Sequence, residues 1–85
     1  MGDESEYYAY ILKSLKDNRY YYGSTSNLDY RLERHNSGQV KSTKSRRPFM
    51  VHYYEKYPDR ASAQKREHFF KSRSGYRWLK ARNII

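Results

Sequence analysis

Apolar and aromatic residues fall in short blocks along this chain, separated by turn chemistry. Tyr7–Ser14 (YYAYILKS) is aromatic and β-branched and predicts a strand. Lys16-Asp17-Asn18 favours a turn, so Arg19–Thr25 (RYYYGST) is expected to return as the second strand of a hairpin. Ser26, with Asp29 three residues later, resembles a capping box and places a helix start near Asn27. Leu28 and Leu32 are its apolar positions, and Gly38 supplies a stop. Phe49–Tyr57 (FMVHYYEKY) predicts a third strand, which Pro58 ends. Asp59 can cap a second helix running to about Ser72, and Ser74 a shorter one through Trp78, with Ile84 and Ile85 returning to the core. The order β-β-α-β-α-α, without internal repeat or linker, predicts an α+β fold: a three-stranded, mainly antiparallel sheet with flanking helices.

Length and charge narrow this picture. Eighty-five residues make one small domain, expected over 7–85 behind an acidic lead, 1–6, that is expected to be flexible. Lys and Arg number 18 against 9 Asp and Glu, a formal charge of +9. Three of the acids lie in the first six residues, so the balance from Tyr8 onward is +12. A polyanion is the natural partner of such a surface, nucleic acid ahead of an anionic membrane. A mean hydropathy of −1.26 is low enough to suggest disorder. The aromatic content of 18%, including 11 Tyr, argues for a packed domain instead. The absence of cysteine excludes a disulfide framework, Cys-based zinc sites and thiol catalysis. No apolar run is long enough to span a membrane and no signal-like segment opens the chain, so a cytoplasmic protein without membrane contact is expected.

Four features can carry chemistry. The hairpin holds Tyr7, Tyr8, Tyr10, Tyr20, Tyr21 and Tyr22, placing phenols on both faces of both strands. Tyrosine suits a small core whose hydroxyls reach water, and equally suits base stacking or proton transfer. Arg31 and His35 share a face of the first helix, offering a phosphate clamp beside a group that titrates near neutrality. The ordinary alternative is a solvated helix face. Glu67 lies with Ala63 and Phe70 on the packed stripe of the second helix. A divalent cation would explain an inward acid in so basic a domain, and so would an i, i+4 pair with Lys71. No other acid is spaced to join Glu67, so a two-metal carboxylate cluster is not expected. Lys41, Lys44, Arg46 and Arg47 form a basic loop that can grip DNA phosphates or simply face solvent.

Taken in order, these residues resemble the GIY-YIG nuclease domain, in a small single-domain form similar to the nuclease part of the repair excinuclease and of structure-specific DNA repair nucleases. Tyr8-Ala9-Tyr10 stands where the family's first tripeptide belongs, and Tyr21-Tyr22-Gly23 where the second belongs. Arg31 and His35 (RLERH), Glu67 (KREHFFK) and Asn83 follow, so the resemblance spans the whole domain. Either tripeptide alone is a weak signal, and the ordered set is strong. The first tripeptide departs from the pattern, with Tyr8 replacing Gly and Ala9 replacing Ile, and Tyr22 stands for Ile in the second.

The resemblance implies phosphodiester hydrolysis in DNA with a single divalent cation, Mg²⁺ or in its place Mn²⁺. It implies Tyr10 as general base, with its pKa expected to be lowered by nearby cations, and Tyr21 hydrogen-bonding in the same site. Arg31 would stabilise charge on the phosphate, His35 assist proton movement, Glu67 hold the metal and Asn83 tie the C-terminal segment to the site. Gly23 would let the backbone pass where a Cβ would obstruct it. A non-catalytic nucleic-acid-binding module of the same fold is the alternative, and it has no need of Glu67. A third reading, an interaction domain whose partner supplies DNA specificity, is compatible with the nuclease; no appended reader domain is expected in 85 residues, so strong sequence specificity is expected to need help.

Overall fold

The computed structural model describes residues 6–85. The expected flexible lead lies outside the described residues except for Glu6. That side chain accepts a hydrogen bond from the Tyr8 hydroxyl and lies 3.6 Å from the Lys56 ammonium.

Seven elements follow one another in the chain: β1 (Tyr7–Ser14), β2 (Tyr20–Thr25), α1 (Leu28–Asn36), a single 3₁₀ turn (Lys44–Arg46), β3 (Phe49–Tyr57), α2 (Arg60–Phe70) and α3 (Arg73–Ala81). The sheet is antiparallel with β1 in the centre, in the order β2-β1-β3. A central strand covered on both faces has no solvent side, which is why Ala9, Tyr10, Ile11 and Leu12 are all fully buried in one unbroken run. On one face Tyr10, Leu12 and Phe49 pack with Leu28 and Leu32 of α1. On the other, Ala9 and Ile11 pack against Phe70 of α2 and Leu79 of α3, with Ile84 and Ile85 joining that core as expected. Opposite Ile11 and Leu12, β3 carries one extra residue, His52, whose ring bonds the carbonyl of Ile84 and so holds the C-terminus against the sheet.

Both long strands, β1 and β3, match the expected spans, whereas β2 begins at Tyr20, one residue later than the hydropathy pattern suggests. The caps differ more. Asn27, not Ser26, caps α1, its side chain accepting from the Tyr30 N–H at 3.0 Å. Asp59 caps α2 as expected, at 2.7 Å from the Ser62 N–H. That helix stops at Phe70, and Ser72 rather than Ser74 opens α3. The Ser72 hydroxyl donates to the Phe69 carbonyl and accepts from the Gly75 N–H, closing one helix and starting the next. Gly75 makes this junction possible, since a Cβ there would lie 2.6 Å from the Phe69 carbonyl carbon. Started early, α3 also runs on past Trp78 to Ala81.

Candidate active site

The two faces of the sheet place the expected site residues unequally. Tyr10 points toward α1 from the centre of the sheet, and its register partner on β2 is Gly23. The phenol lies across that glycine: a Cβ on Gly23 would sit 2.6 Å from the ring carbon bearing the hydroxyl, and closer still to the oxygen. The buried Tyr10 hydroxyl makes no hydrogen bond of ordinary geometry among the described residues, although the Arg31 guanidinium lies near enough to donate to its ionised form. A buried polar atom left in this way is destabilising by about 1–3 kcal/mol, so it is expected where function requires it.

Three more of the expected residues surround it. Tyr21 lies two residues before Gly23, and its ring centroid is 4.7 Å from that of His35. Arg31, half-buried one turn before His35 on α1, is the cation that favours the ionised form of Tyr10. His35 is fully buried, with Nδ1 2.8 Å from Thr43 Oγ1. Thr43 Oγ1 also lies 3.3 Å from the Val40 carbonyl, and in the tautomer where Thr43 donates there, His35 Nδ1–H donates to Oγ1 and Nε2 keeps a free lone pair. Nε2 has no partner, and burial, reinforced by Arg31 and Arg34, holds the His35 pKa below the usual histidine value. The ring is therefore neutral at neutral pH and able to accept a proton.

Glu67 approaches from the opposite face. Its carboxylate reaches the free edge of β2, where Oε1 accepts from the Ser24 hydroxyl and Oε2 from the Lys71 ammonium, each at 2.7 Å. Ser24 is the residue after Gly23, so Glu67 and Tyr10 meet the same stretch of edge strand from two sides. Burial alone would raise the Glu67 pKa, but Lys71 and Ser24 outweigh it and the carboxyl titrates below its ordinary range. The i, i+4 pair with Lys71 is thus present, and it coexists with the inward placement that suggested a metal ligand.

Two expectations are corrected. Burial pushes the Tyr10 phenol up to about 12, more than Arg31 pulls it down, and the negative charge of Glu67 adds to the rise. Among the protein's own groups burial outweighs Arg31, so the net shift is upward where a lowering by nearby cations was expected. Asn83 is not hydrogen-bonded to the other five site residues among the described residues. Instead it takes the left-handed conformation (φ 59°) just past α3, with its N–H on the Lys80 carbonyl and the next N–H, of Ile84, on the Leu79 carbonyl. This double bond pattern is the Schellman helix stop, and asparagine tolerates its backbone better than most residues.

The basic loop is also divided. Lys41 and Lys44 are exposed and free of ion pairs among the described residues. Arg46 is turned inward, pairing with Asp17 at 3.0 Å and covering the Phe49 ring, and Arg47 Nε donates to the Lys44 carbonyl. Thr43, fully buried against His35, carried no signal in the sequence. A further basic surface does have a sequence signal: no acid follows Glu67, while Lys71, Arg73, Arg77, Lys80 and Arg82 crowd the last 18 residues. Arg73, Arg77 and Lys80 share one exposed face of α3.

For a hard divalent cation, the protein offers one ionised, half-buried carboxylate, Glu67, at an edge open to solvent. Among the described residues no group of three His, Cys, Asp or Glu side chains gathers to hold a metal. That donor set fits Mg²⁺, which keeps most of its waters and takes one carboxylate plus substrate phosphate oxygens.

Residues 6–80 match the GIY-YIG catalytic domain. The chain belongs to the GIY-YIG family. A UPF0213 protein of Staphylococcus haemolyticus is 39% identical over 77 residues, covering 89% of this chain and 93% of that one. A UPF0213 protein of Listeria monocytogenes is 43% identical over 75 residues, covering 87% and 83%. The solution NMR structure of a UPF0213 protein from Bacillus halodurans superposes with a TM-score of 0.51 at 33% identity, covering 89% of this chain and 83% of that one. As a GIY-YIG domain, the fold is a nuclease-family fold whose substrate is nucleic acid in general. Among the described residues no helix is long and apolar enough to cross a membrane.

Proposed function

We propose that this protein is a metal-dependent endonuclease that hydrolyses phosphodiester bonds in DNA, with a structure-specific role in repair or recombination. The observation that carries the reading is the buried Tyr10 hydroxyl, left without a partner above Gly23, with Arg31 on one side and the Glu67 carboxylate at the strand edge on the other. A module that only binds DNA gains nothing from a destabilising orphan hydroxyl or from an acid at the same strand edge.

In this reading Tyr10, ionised beforehand, takes the proton of the attacking water at Oη as the water oxygen bonds to phosphorus and the bond from phosphorus to the leaving oxygen breaks. Arg31 stabilises both the phenolate that must form before this transfer and the negative charge that grows on the phosphate oxygens. A phenol with a pKa of about 12 is a scarce base at neutral pH, so Tyr10 depends on Arg31 and on the charge brought by substrate and cation. His35, neutral and with Nε2 free, stands behind Tyr21 as a second proton acceptor. Bound at Glu67, Mg²⁺ would supply Lewis-acid activation of the scissile phosphate and its leaving oxygen. Lys41 and Lys44, with the α3 cations, would hold the DNA backbone.

The test is cleavage of a panel of linear, nicked, flapped and branched DNAs with Mg²⁺, Mn²⁺ or EDTA, using wild type and Tyr10→Phe. Metal-dependent cleavage by the wild type, lost by at least about 100-fold in Tyr10→Phe, supports the reading. DNA binding without metal-dependent cleavage of any substrate would return the protein to the binding-module alternative.

A further inference from the structure

A cleft of about 520 Å³ opens beside Tyr10, at the N-terminal end of α1, and contains none of the site residues described above. Its walls are Tyr8, Val51 and Tyr54 from the sheet and residues 26–29 at the start of the helix. Tyr8 lies two residues before Tyr10 on the same face of β1, about 7 Å along the strand. Tyr54 is the residue paired with Tyr10 across β1 and β3. Whatever occupies the cleft therefore lies within one nucleotide of a phosphate held at Tyr10.

The lining is unlike the rest of the protein. In a chain with 18 Lys and Arg, the described residues that line the cleft include none, and they include one carboxylate, Asp29. No cationic side chain among them makes an ion pair with phosphate. The cleft offers instead two phenol rings with centroids 5.7 Å apart at 70°, of which Tyr54 is 49% exposed. Around them stand groups of both hydrogen-bonding kinds. The Asn27 side-chain oxygen is occupied by the Tyr30 N–H, which leaves its NH₂ as a donor, while Asp29 accepts and the Ser26 hydroxyl does either. A flat aromatic face with a mixed donor and acceptor edge is the complement of a nucleobase. The volume lies within the range of small-molecule pockets and admits one nucleoside.

We propose that the cleft binds one unpaired nucleobase of the DNA strand, adjacent to the phosphate at Tyr10, and so selects substrates that present an unpaired base. A base stacked and paired in a duplex cannot enter without being extruded, which is unfavourable, whereas a base in a flap or single strand enters freely. Tyr8 supplies one wall of the site. It stands where the family pattern has glycine, and a glycine would remove one wall. The proposal rests on the nuclease reading only for the placement of the neighbouring phosphate.

The experiment is therefore done in EDTA, where binding is read without cleavage. A duplex with a single unpaired 2-aminopurine is compared with the same duplex fully paired and with an abasic site at the unpaired position. The wild type should quench the unpaired 2-aminopurine and bind that DNA more tightly than the other two. Tyr54→Ala, at an exposed position that leaves the core intact, should weaken binding of the unpaired substrate by about 5- to 150-fold, the range for loss of one stacked base. Its affinity for the paired and abasic duplexes should stay unchanged, and Tyr54→Phe should keep the preference. An unquenched fluorophore, equal affinity for abasic and base-bearing DNA, or an equal loss on all three DNAs would overturn the proposal. Silence of every DNA arm, the result expected if the cleft takes a cationic side chain of a protein partner, would overturn it too. None of these readouts depends on catalysis, so an inactive enzyme leaves them standing, and cleavage by a protein that fails them sinks only the cleft.

Discussion

Gly23→Ala is the smallest change that probes how the site is built. The added methyl would lie 2.6 Å from Cζ of Tyr10, well inside van der Waals contact. The ring has nowhere to go, because Tyr10 is fully buried among Leu12, Phe49, Leu28 and Leu32. Overpacking of this kind destabilises by about 1–3 kcal/mol. Against it stands a gain of roughly 0.5–1 kcal/mol, because alanine is less disordered than glycine in the unfolded chain. The expected net loss is about 0.5–2 kcal/mol. Replacing the ring removes the conflict: in a Tyr10→Leu background Gly23→Ala should become neutral or stabilising, giving a coupling of roughly 1–3 kcal/mol between the two positions. Urea unfolding followed by fluorescence of Trp78, the single tryptophan, measures all four proteins. At about 1 kcal/mol per molar urea for a small domain, the midpoint of Gly23→Ala should fall by about 0.5–2 M. The same displacement of the phenol should lower cleavage by about two orders of magnitude. An equal cost of Gly23→Ala in both backgrounds would refute the packing argument, and full activity with a displaced midpoint would refute the role of the phenol.

Other expectations follow from the same geometry. Tyr10→Phe should be as stable as the wild type or up to about 1–2 kcal/mol more so, since it deletes an unpartnered buried hydroxyl, while losing cleavage; a large destabilisation in the same urea assay would mean that the hydroxyl is bonded. Glu67→Gln should lose cleavage yet bind DNA at least as tightly in metal-free buffer, at a loss of only about 0.2–0.5 kcal/mol for the Lys71 pair; retained cleavage would reject the metal assignment. His35 has a folded pKa below its unfolded value, so the unfolded chain takes up the proton first. Its contribution is complete above about pH 6.5 and is lost as the pH falls from there toward the folded pKa; urea midpoints between pH 7.5 and 5 should fall in the wild type and flatten in His35→Gln. Arg73→Ala with Arg77→Ala should reduce the slope of log affinity against log salt by up to about two units, and Arg46→Ala should lower stability with little effect on that slope; the reverse pattern would put the DNA track on the loop.

Much of the fold was legible in the sequence because hydrophobic period and turn residues are local properties. The spans of β1 and β3, the hairpin, the Asp59 cap and the element order follow from neighbouring residues alone. The choice of Asn27 over Ser26 and of Ser72 over Ser74 does not, since each alternative offers a similar oxygen at a similar spacing. Packing decides between them: the early start of α3 depends on Gly75 fitting against the Phe69 carbonyl. The site divides in the same way. Residue types in order pointed to Tyr10, Tyr21, Arg31, His35 and Glu67. Only the folded chain revealed that Glu67 comes from the opposite face and meets the others around the edge of β2, next to Gly23. The role implied by the resemblance came with a Tyr10 pKa lowered by neighbouring cations, yet burial raises it, because desolvation depends on what covers a group in three dimensions. Arg46 and Asn83 were indistinguishable by type from functional residues. In the folded chain one closes a loop against Asp17 and the other terminates a helix, structural tasks that only tertiary contacts and backbone angles reveal.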